Sequence, residues 1–342
     1  VASEDLFNLN TSANRSQICY QMPTSGLVSP TGWVVGRTGS TGRLMQDDEL
    51  NRLLGEMRPR LHRYCARMTG SAIDGDDVVQ DVFVKAIDAR STSGPIDNPE
   101  GWLFRIAHNA ALDFLRNRAR IKTIQLDDEA EIGAASQAET PDADLVAASF
   151  RTFLQLPVLQ RCAVILKDVL GHSVEEIAAT ADCSVPAAKS ALQRGRANLK
   201  MLTRSEDGVC LPVLSDGERV RLLKFVEMFR AGNFDSVRQM LADDVKLDLV
   251  ARLKMQGREK IGQYFTRYAQ ARHWRFAAGS VDGVPAMLVF DANGPIAKPA
   301  HFVVLEWQSG RISGIRDFLF AAYAFEASQW VRLDRAINQG GA

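Results

Sequence analysis

From Asp47 to about Arg120 apolar residues recur every three or four positions, the period of helices with one buried face. Leu50, Leu53, Leu54, Met57, Leu61, Tyr64, Cys65 and Met68 make one stripe, ended by Gly70. After a turn at Ser71–Gly75, Val78, Val79, Val82, Phe83, Ala86 and Ile87 form the core face of a second helix. Asp77, Gln80, Asp81, Lys85 and Asp88 are left on its outer side. The Ser91–Pro95 loop and the Asn98-Pro99 step interrupt the pattern. A third helix, Gly101 to Arg120, turns Leu103, Ile106, Ala107, Ala110 and Phe114 inward and Arg105, Asn109, Leu112, Arg116 and Arg120 outward. Helical spacing resumes from Leu145 to Leu156. It appears again from Pro157, a favourable first helical position, to Leu170, where Gly171 stops it.

Gly171 to Lys200 reads as two short helices joined by a tight turn. Ser173 with Glu176 forms a capping box for the first, which buries Val174, Ile177, Ala178 and Ala181. The turn is Asp182-Cys183-Ser184, and Ser184 caps the second helix. Val185, Ala188, Leu192 and Leu199 then point inward, while Lys189, Ser190, Gln193, Arg194 and Arg196 point outward. From Ser184 to Arg204 there are five Lys or Arg and no acid, the polar and basic face that major-groove reading requires.

Further on the period changes. Asp216 to Arg230 is a helix with Val220, Leu223, Phe225 and Val226 as core candidates, and Phe234 to Leu241 a short second one. Asp244 to Leu253 alternates as a strand, and Gly257 to Ala271 is helical. Arg272–Val281, Ala286–Asp291, His301–Trp307 and Arg311–Phe320 read as strands, separated by turns at Asp282-Gly283, Asn293-Gly294-Pro295 and Ser309-Gly310. Helices followed by a meander make an α+β arrangement in which a curved sheet wraps a helix.

A length of 342 residues allows two or three domains, each with its own core. Net charge is zero, so a nucleic-acid surface must come from segregated charge. Residues 127–144 carry seven acids and no base, and the stretch 121–144 is aperiodic, as a linker is. Residues 1–45, rich in Ser, Thr, Gly and Asn, read as a disordered extension. Five cysteines without a C-x-x-C pair argue for reduced thiols and a cytoplasmic protein. No apolar run approaches a membrane span, and His62 with Cys65 lacks the two further ligands of a metal centre.

These blocks resemble an extracytoplasmic-function (ECF) group sigma factor of bacterial RNA polymerase over about Asp47 to Leu202. DDVVQDVFVKA resembles the clamp-binding helix of region two, and NPEGWLFRIAHNAALDFLR the helix that reads the −10 promoter element. LQLPVLQRCAVILKDVLGHSVEEIA with PAAKSALQRGRANL resembles region four, which reads the −35 element. Ala191 stands where many relatives carry arginine. The resemblance implies that Asp77, Gln80, Asp81 and Lys85 dock on the polymerase clamp. It implies that the loop around Ser91 to Asn98 holds a flipped base, and that Arg105, Asn109 and Arg116 contact the −10 element. Lys189, Ser190, Gln193, Arg194 and Arg196 would enter the major groove at the −35 element.

The rest, with LADDVKLDL, QGREKIGQYF and GRISGIRDF, resembles the SnoaL-like branch of the nuclear-transport-factor-two superfamily, a cone-shaped fold that some sigma factors of this group carry as a C-terminal extension. Asp248 and Asp317 sit where relatives place pocket carboxylates, with Trp274 and His301 as further pocket candidates. The DGGGK-type motif by which some relatives tie this extension to the sigma core is absent. The expected organisation is multidomain: a 1–45 extension, region two over 46–120, a 121–144 linker, a region-four helix-turn-helix over 145–204, and a regulatory SnoaL-like domain over 211–330. The expected protein is a non-enzymatic alternative sigma factor without cofactor or metal, regulated in cis. Its partners are core RNA polymerase and promoter DNA, with a small-molecule ligand or an anti-sigma factor as further candidates and no membrane. The alternatives are a SnoaL-like isomerase or hydrolase fused to a DNA-binding module, and a duplex-DNA regulator acting without polymerase.

Overall fold

The computed structural model describes residues 47–90, 94, 96–123, 149–204, 214–270, 274–293 and 298–333. The expected N-terminal extension, linker residues 124–144 and most of the Ser91–Pro95 loop lie outside them. Helices α1 (Asp47–Thr69), α2 (Ala72–Arg90) and α3 (Pro99–Thr123) come first. Thus α3 runs through the first three residues assigned to the linker. After the gap come α4 (Phe150–Leu154) and α5 (Val158–Val164), the latter continuing as a π turn over Ile165–Val169. Then α6 (Val174–Thr180) and α7 (Val185–Arg204) complete the helical half.

Both groups of helices share one core. Leu61, Tyr64 and Phe104 from the first group pack with Phe153, Leu166, Ile177 and Leu199 from the second. The Tyr64 hydroxyl lies 2.7 Å from His108 Nδ1 and 3.4 Å from Cys162 Sγ, and the Phe104 and His172 rings meet edge to face at 4.7 Å. Arg161 donates to the carbonyls of Met68, Leu154 and Leu156 at 2.7–2.9 Å, closing the ends of α1 and α4 together. Ile87, expected in the core, is instead 49 % exposed on α2.

The C-terminal half begins with α8 (Asp216–Arg230), set by a Ser215–Glu218 capping box, and α9 (Phe234–Met240). The strands are β1 (Leu241–Leu249), β2 (Leu253–Gln256), β3 (Trp274–Val281), β4 (Val284–Asp291), β5 (His301–Gln308), β6 (Arg311–Asp317) and β7 (Trp330–Arg332), with α10 (Arg258–Gln270) between β2 and β3. They form one sheet in the order β2-β1-β6-β5-β4-β3-β7, antiparallel except for β1 beside β6. The inner face, with Leu247, Ile315, Leu305 and Val303, packs on Phe225, Phe229, Ile261 and Phe265 of the helices. Here the α8 stripe is Leu222, Phe225, Val226 and Phe229, and Val220 faces solvent. Strand β6 stops at Asp317 because its carboxylate accepts the Leu319 N–H at 2.9 Å and turns the chain. β2 and β7, four and three residues long, were too short to carry a readable alternation.

The outer face of the sheet rests on the helical half. Ala66, Ala72, Ile73 and Phe150 join Val281, Ala286, Leu288, Phe302 and Val304 in one apolar cluster. At its rim the Asp282-Gly283 hairpin turn, with φ of 51° and 83°, brings a buried carboxylate to the start of α2. Asp282 Oδ2 accepts the Ala72 N–H at 2.8 Å, Oδ1 accepts the Gln329 N–H at 2.9 Å, and its carbonyl accepts from Arg151 at 3.2 Å. One residue therefore caps a helix of the first group, touches the second and fixes the C-terminal segment. Across the seam Arg63 makes a bidentate pair with Glu326 at 2.7 Å, and Arg58 donates to the Tyr323 hydroxyl at 3.0 Å. Asp282→Asn keeps the left-handed backbone but turns one acceptor into a donor facing an N–H. We expect a loss of about 2 kcal/mol, measured as a lower urea midpoint of the full chain.

Candidate functional site

Three outward surfaces follow from the helical half. On α7, the Ser173–Glu176 capping box and an Asp182 φ of 50° set the turn, and the Ser184 hydroxyl accepts the Ala187 N–H at 3.3 Å. Ala188, Ala191, Leu192 and Leu199 are buried, while Lys189, Ser190, Gln193 and Arg194 are exposed. Ala191 faces the core rather than the outer row. Arg196 departs from expectation. It is 8 % exposed and forms a bidentate pair with the buried side chain of Asp168 at 2.9 and 2.5 Å, and that hydrogen-bonded carboxylate raises its pKa. Lys189, Gln193 and Arg196 lie along one row of the helix, but the end of that row passes under the π turn that carries Asp168. Helix contact is close there: a side chain at Gly195 would meet the Gln160 carbonyl at 2.9 Å.

On α3, Asn98 accepts the Gly101 N–H at 2.9 Å and Pro99 takes the first position. Leu103, Ala107, Ala110 and Ala111 are buried, leaving Arg105, Asn109, Arg116 and Arg120 exposed. Arg116 pairs with Asp113 at 3.3 Å, and Arg118 ties α3 to Asp74 of α2 at 2.7 Å.

The outer face of α2 is divided. Asp81 and Lys85 are exposed, Lys85 pairing with Asp113 at 3.2 Å, and Val84 is exposed beside them. Asp77 and Gln80 are held by the sheet. Arg316 of β6 reaches Asp77 at 2.7 Å and donates to the Ile73 carbonyl at 3.3 Å. Gln80 donates to Asp248 of β1 at 3.2 Å and accepts from Lys254 of β2 at 2.6 Å.

Of the expected pocket set, Trp274, His301 and Asp317 lie on the inner face of the sheet and Asp248 on the outer one. Asp248 pairs in register with Arg316, and Leu249 with Asp317, so the two carboxylates lie on opposite faces of the sheet. Asp248 faces α2. Asp317 is buried on the inner face, where the Tyr264 hydroxyl donates to it at 2.8 Å and burial pushes its carboxyl up to about 7. His301, its pKa pushed down to about 3 by burial, meets the Trp274 ring edge to face at 5.0 Å on that same inner side. His62, the other half of the metal pair considered above, lies 2.9 Å through Nε2 from the Ala72 carbonyl, and no metal-ligand cluster occurs among the described residues. No helix among them is long and apolar enough to cross a membrane.

Comparison with known proteins decides the family. Models of Sigma-70 region 2 and Sigma-70 region 4 match residues 53–121 and 151–199. The ECF RNA polymerase sigma factor SigE of Mycolicibacterium smegmatis is 32 % identical over 179 residues, covering 50 % of this chain and 67 % of that protein. The ECF RNA polymerase sigma factor SigG of Mycobacterium tuberculosis is 24 % identical over 292 residues, covering 77 % of this chain and 79 % of that one. The chain belongs to the ECF RNA polymerase sigma factors. The crystal structure of the sigma factor SigJ of M. tuberculosis aligns with a TM-score of 0.31 at 18 % identity, over 78 % of this chain and 95 % of that one.

In this sigma factor the seam residues Asp282, Arg316, Lys254, Tyr323 and Glu326 carry the join between sigma helices and sheet. Reading the sequence identified Asp282 only as a turn former. Its side chain acts on a residue 210 positions away, which no local pattern records. Between about pH 4 and 7 the folded chain keeps the Asp317 proton that the unfolded chain releases, so this group's contribution to stability falls as pH rises through that window. Asp317→Asn is expected to remove that slope, measured by urea midpoints across the same range.

Proposed function

We propose that this alternative sigma factor rests in a closed form, and that its C-terminal SnoaL-like domain regulates it in cis by occupying part of the polymerase-binding face. The observation that carries the reading is the capture of Asp77 and Gln80 by Arg316, Lys254 and Asp248, because Asp77 and Gln80 belong to the face that would dock on the clamp of core polymerase. Free of those contacts, α2 offers Asp77, Gln80, Asp81 and Lys85 to the clamp. Arg105, Asn109 and Arg116 would contact the −10 strand and its phosphates, with residues of the 91–98 loop holding a flipped base. Lys189, Ser190, Gln193 and Arg194 would enter the −35 major groove, and Arg196 would position α7 through Asp168 rather than touch DNA. The boundaries near 46, 120, 145, 204 and 211 delimit the modules on this reading, and the cytoplasm is its compartment.

Opening is also required by distance. Promoter elements named −10 and −35 lie about 25 base pairs apart, roughly 85 Å of duplex. Helices that share one core, as α3 and α7 do here, cannot grip both. The 25 positions from 124 to 148 correspond to a chain length of at most about 85 Å, so covalent connection does not prevent the modules from separating. On this reading the domain acts by contact. Binding to core polymerase and initiation on a promoter library test the assignment. Failure to co-migrate with core enzyme would overturn it. The double variant Arg316→Ala with Lys254→Ala is expected to bind core polymerase about tenfold more tightly. Unchanged affinity would remove regulation at this face.

A further inference from the structure

The outer face of the sheet carries an open cleft of about 400 Å³ over β1, β2, β5 and β6, within the size range of small-molecule sites. Its polar walls are Lys246, Asp248, Lys254, Gln256, Glu306 and Arg316. Gly314 keeps the floor open, because a side chain there would collide with Glu306. Three of the six wall residues, Asp248, Lys254 and Arg316, are those that hold α2. What they hold identifies their chemistry. Arg316 takes a carboxylate, Asp77, at 2.7 Å, and a carboxamide, Gln80, bridges Lys254 at 2.6 Å and Asp248 at 3.2 Å. Lys246 is exposed and has no ion-pair partner among the described residues, so the cleft presents a third cation beyond those α2 engages.

We propose that this cleft is an effector site for a small hydroxylated polycarboxylate, whose binding takes Arg316 and Lys254 from Asp77 and Gln80 and so frees the polymerase-binding face. Three cations against two acids favour an anion. Asp248 and Glu306 would accept hydrogen bonds, which selects a ligand carrying hydroxyl donors beside its carboxylates. A carboxylate on Arg316 excludes Asp77 from the same fork, so ligand and closed α2 compete for one set of donors. The ligand's apparent affinity is then lowered by the closed fraction, and whatever opens the seam raises it. By reciprocity, core polymerase and effector tighten each other's binding by the same factor. The inference rests on the cis regulation proposed above.

The test is calorimetric titration of the full chain with citrate, with succinate and inorganic phosphate for comparison, followed by core-polymerase binding with and without citrate. Citrate is expected to bind saturably and more tightly than succinate or phosphate. Lys246→Gln, which touches neither Asp77 nor Gln80, is expected to weaken citrate at least tenfold. Citrate is expected to raise polymerase affinity about tenfold in the natural chain and not in Lys246→Gln. Absence of saturable citrate binding, equal binding by Lys246→Gln, or a preference for phosphate would overturn the site. Lys246-dependent binding that leaves polymerase affinity unmoved would overturn the coupling. Failure of cis regulation itself is read without citrate, as an Arg316→Ala, Lys254→Ala variant that binds polymerase no better than the natural chain.

Discussion

Everything in this molecule depends on a sheet whose two faces are both occupied. The inner face buries the aromatic side of α8 and α10, with Phe265 meeting both Phe225 and Phe229 edge to face. The outer face buries Ala66, Ala72, Ile73 and Phe150 of the sigma helices. An antiparallel sheet with one free face would alternate apolar and polar residues along its strands. Here β4 and β5 are apolar through most of their length, because each successive side chain meets protein on one side or the other. The C-terminal domain is therefore built to be covered, and the sigma helices are what cover it.

The seam has two chemically distinct parts. Over the ends of α1 and α2 it is apolar, capped by Asp282 and flanked by the Arg63–Glu326 pair. Further along α2 it is polar, made of Arg316, Lys254 and Asp248 against Asp77 and Gln80. Exposed ion pairs contribute little to stability, about 0–1 kcal/mol each, whereas apolar burial contributes steadily with area. The apolar part thus holds the domains together, and the polar part covers Asp77 and Gln80 of α2. The two can change independently, which a wholly apolar seam would not permit.

How much of this was legible in the sequence follows the range of each interaction. Capping boxes at Ser173 and Ser215, the Asp182 turn and the exposed rows Arg105–Asn109–Arg116 and Lys189–Gln193 are local features, read within a few residues of where they act. Arg196 failed because a helical row fixes direction but not what lies over it, and the covering residue, Asp168, comes from another element. Asp248 and Asp317 face apart, which could not be read locally because β1 and β6 are parallel neighbours separated by more than sixty residues. Their register, which sets the faces, is decided only when the sheet closes. Val220 was placed one helical step off a stripe that Leu222 and Phe229 define.

The missing DGGGK-type motif makes the same argument from the other side. Without that motif the domain is docked through residues that no short motif joins: one hairpin carboxylate, two arginines of α1, and three charged side chains spread over β1, β2 and β6. Each is positioned by the register of its own strand or helix, not by its sequence neighbours. A contact assembled this way is disassembled piecewise as well. Loss of the β1, β2 and β6 charges would uncover Asp77 and Gln80 while Asp282 still caps α2, so that part of the α2 surface can open before the domain leaves. That order follows from where the charged and apolar halves of the seam lie along one helix.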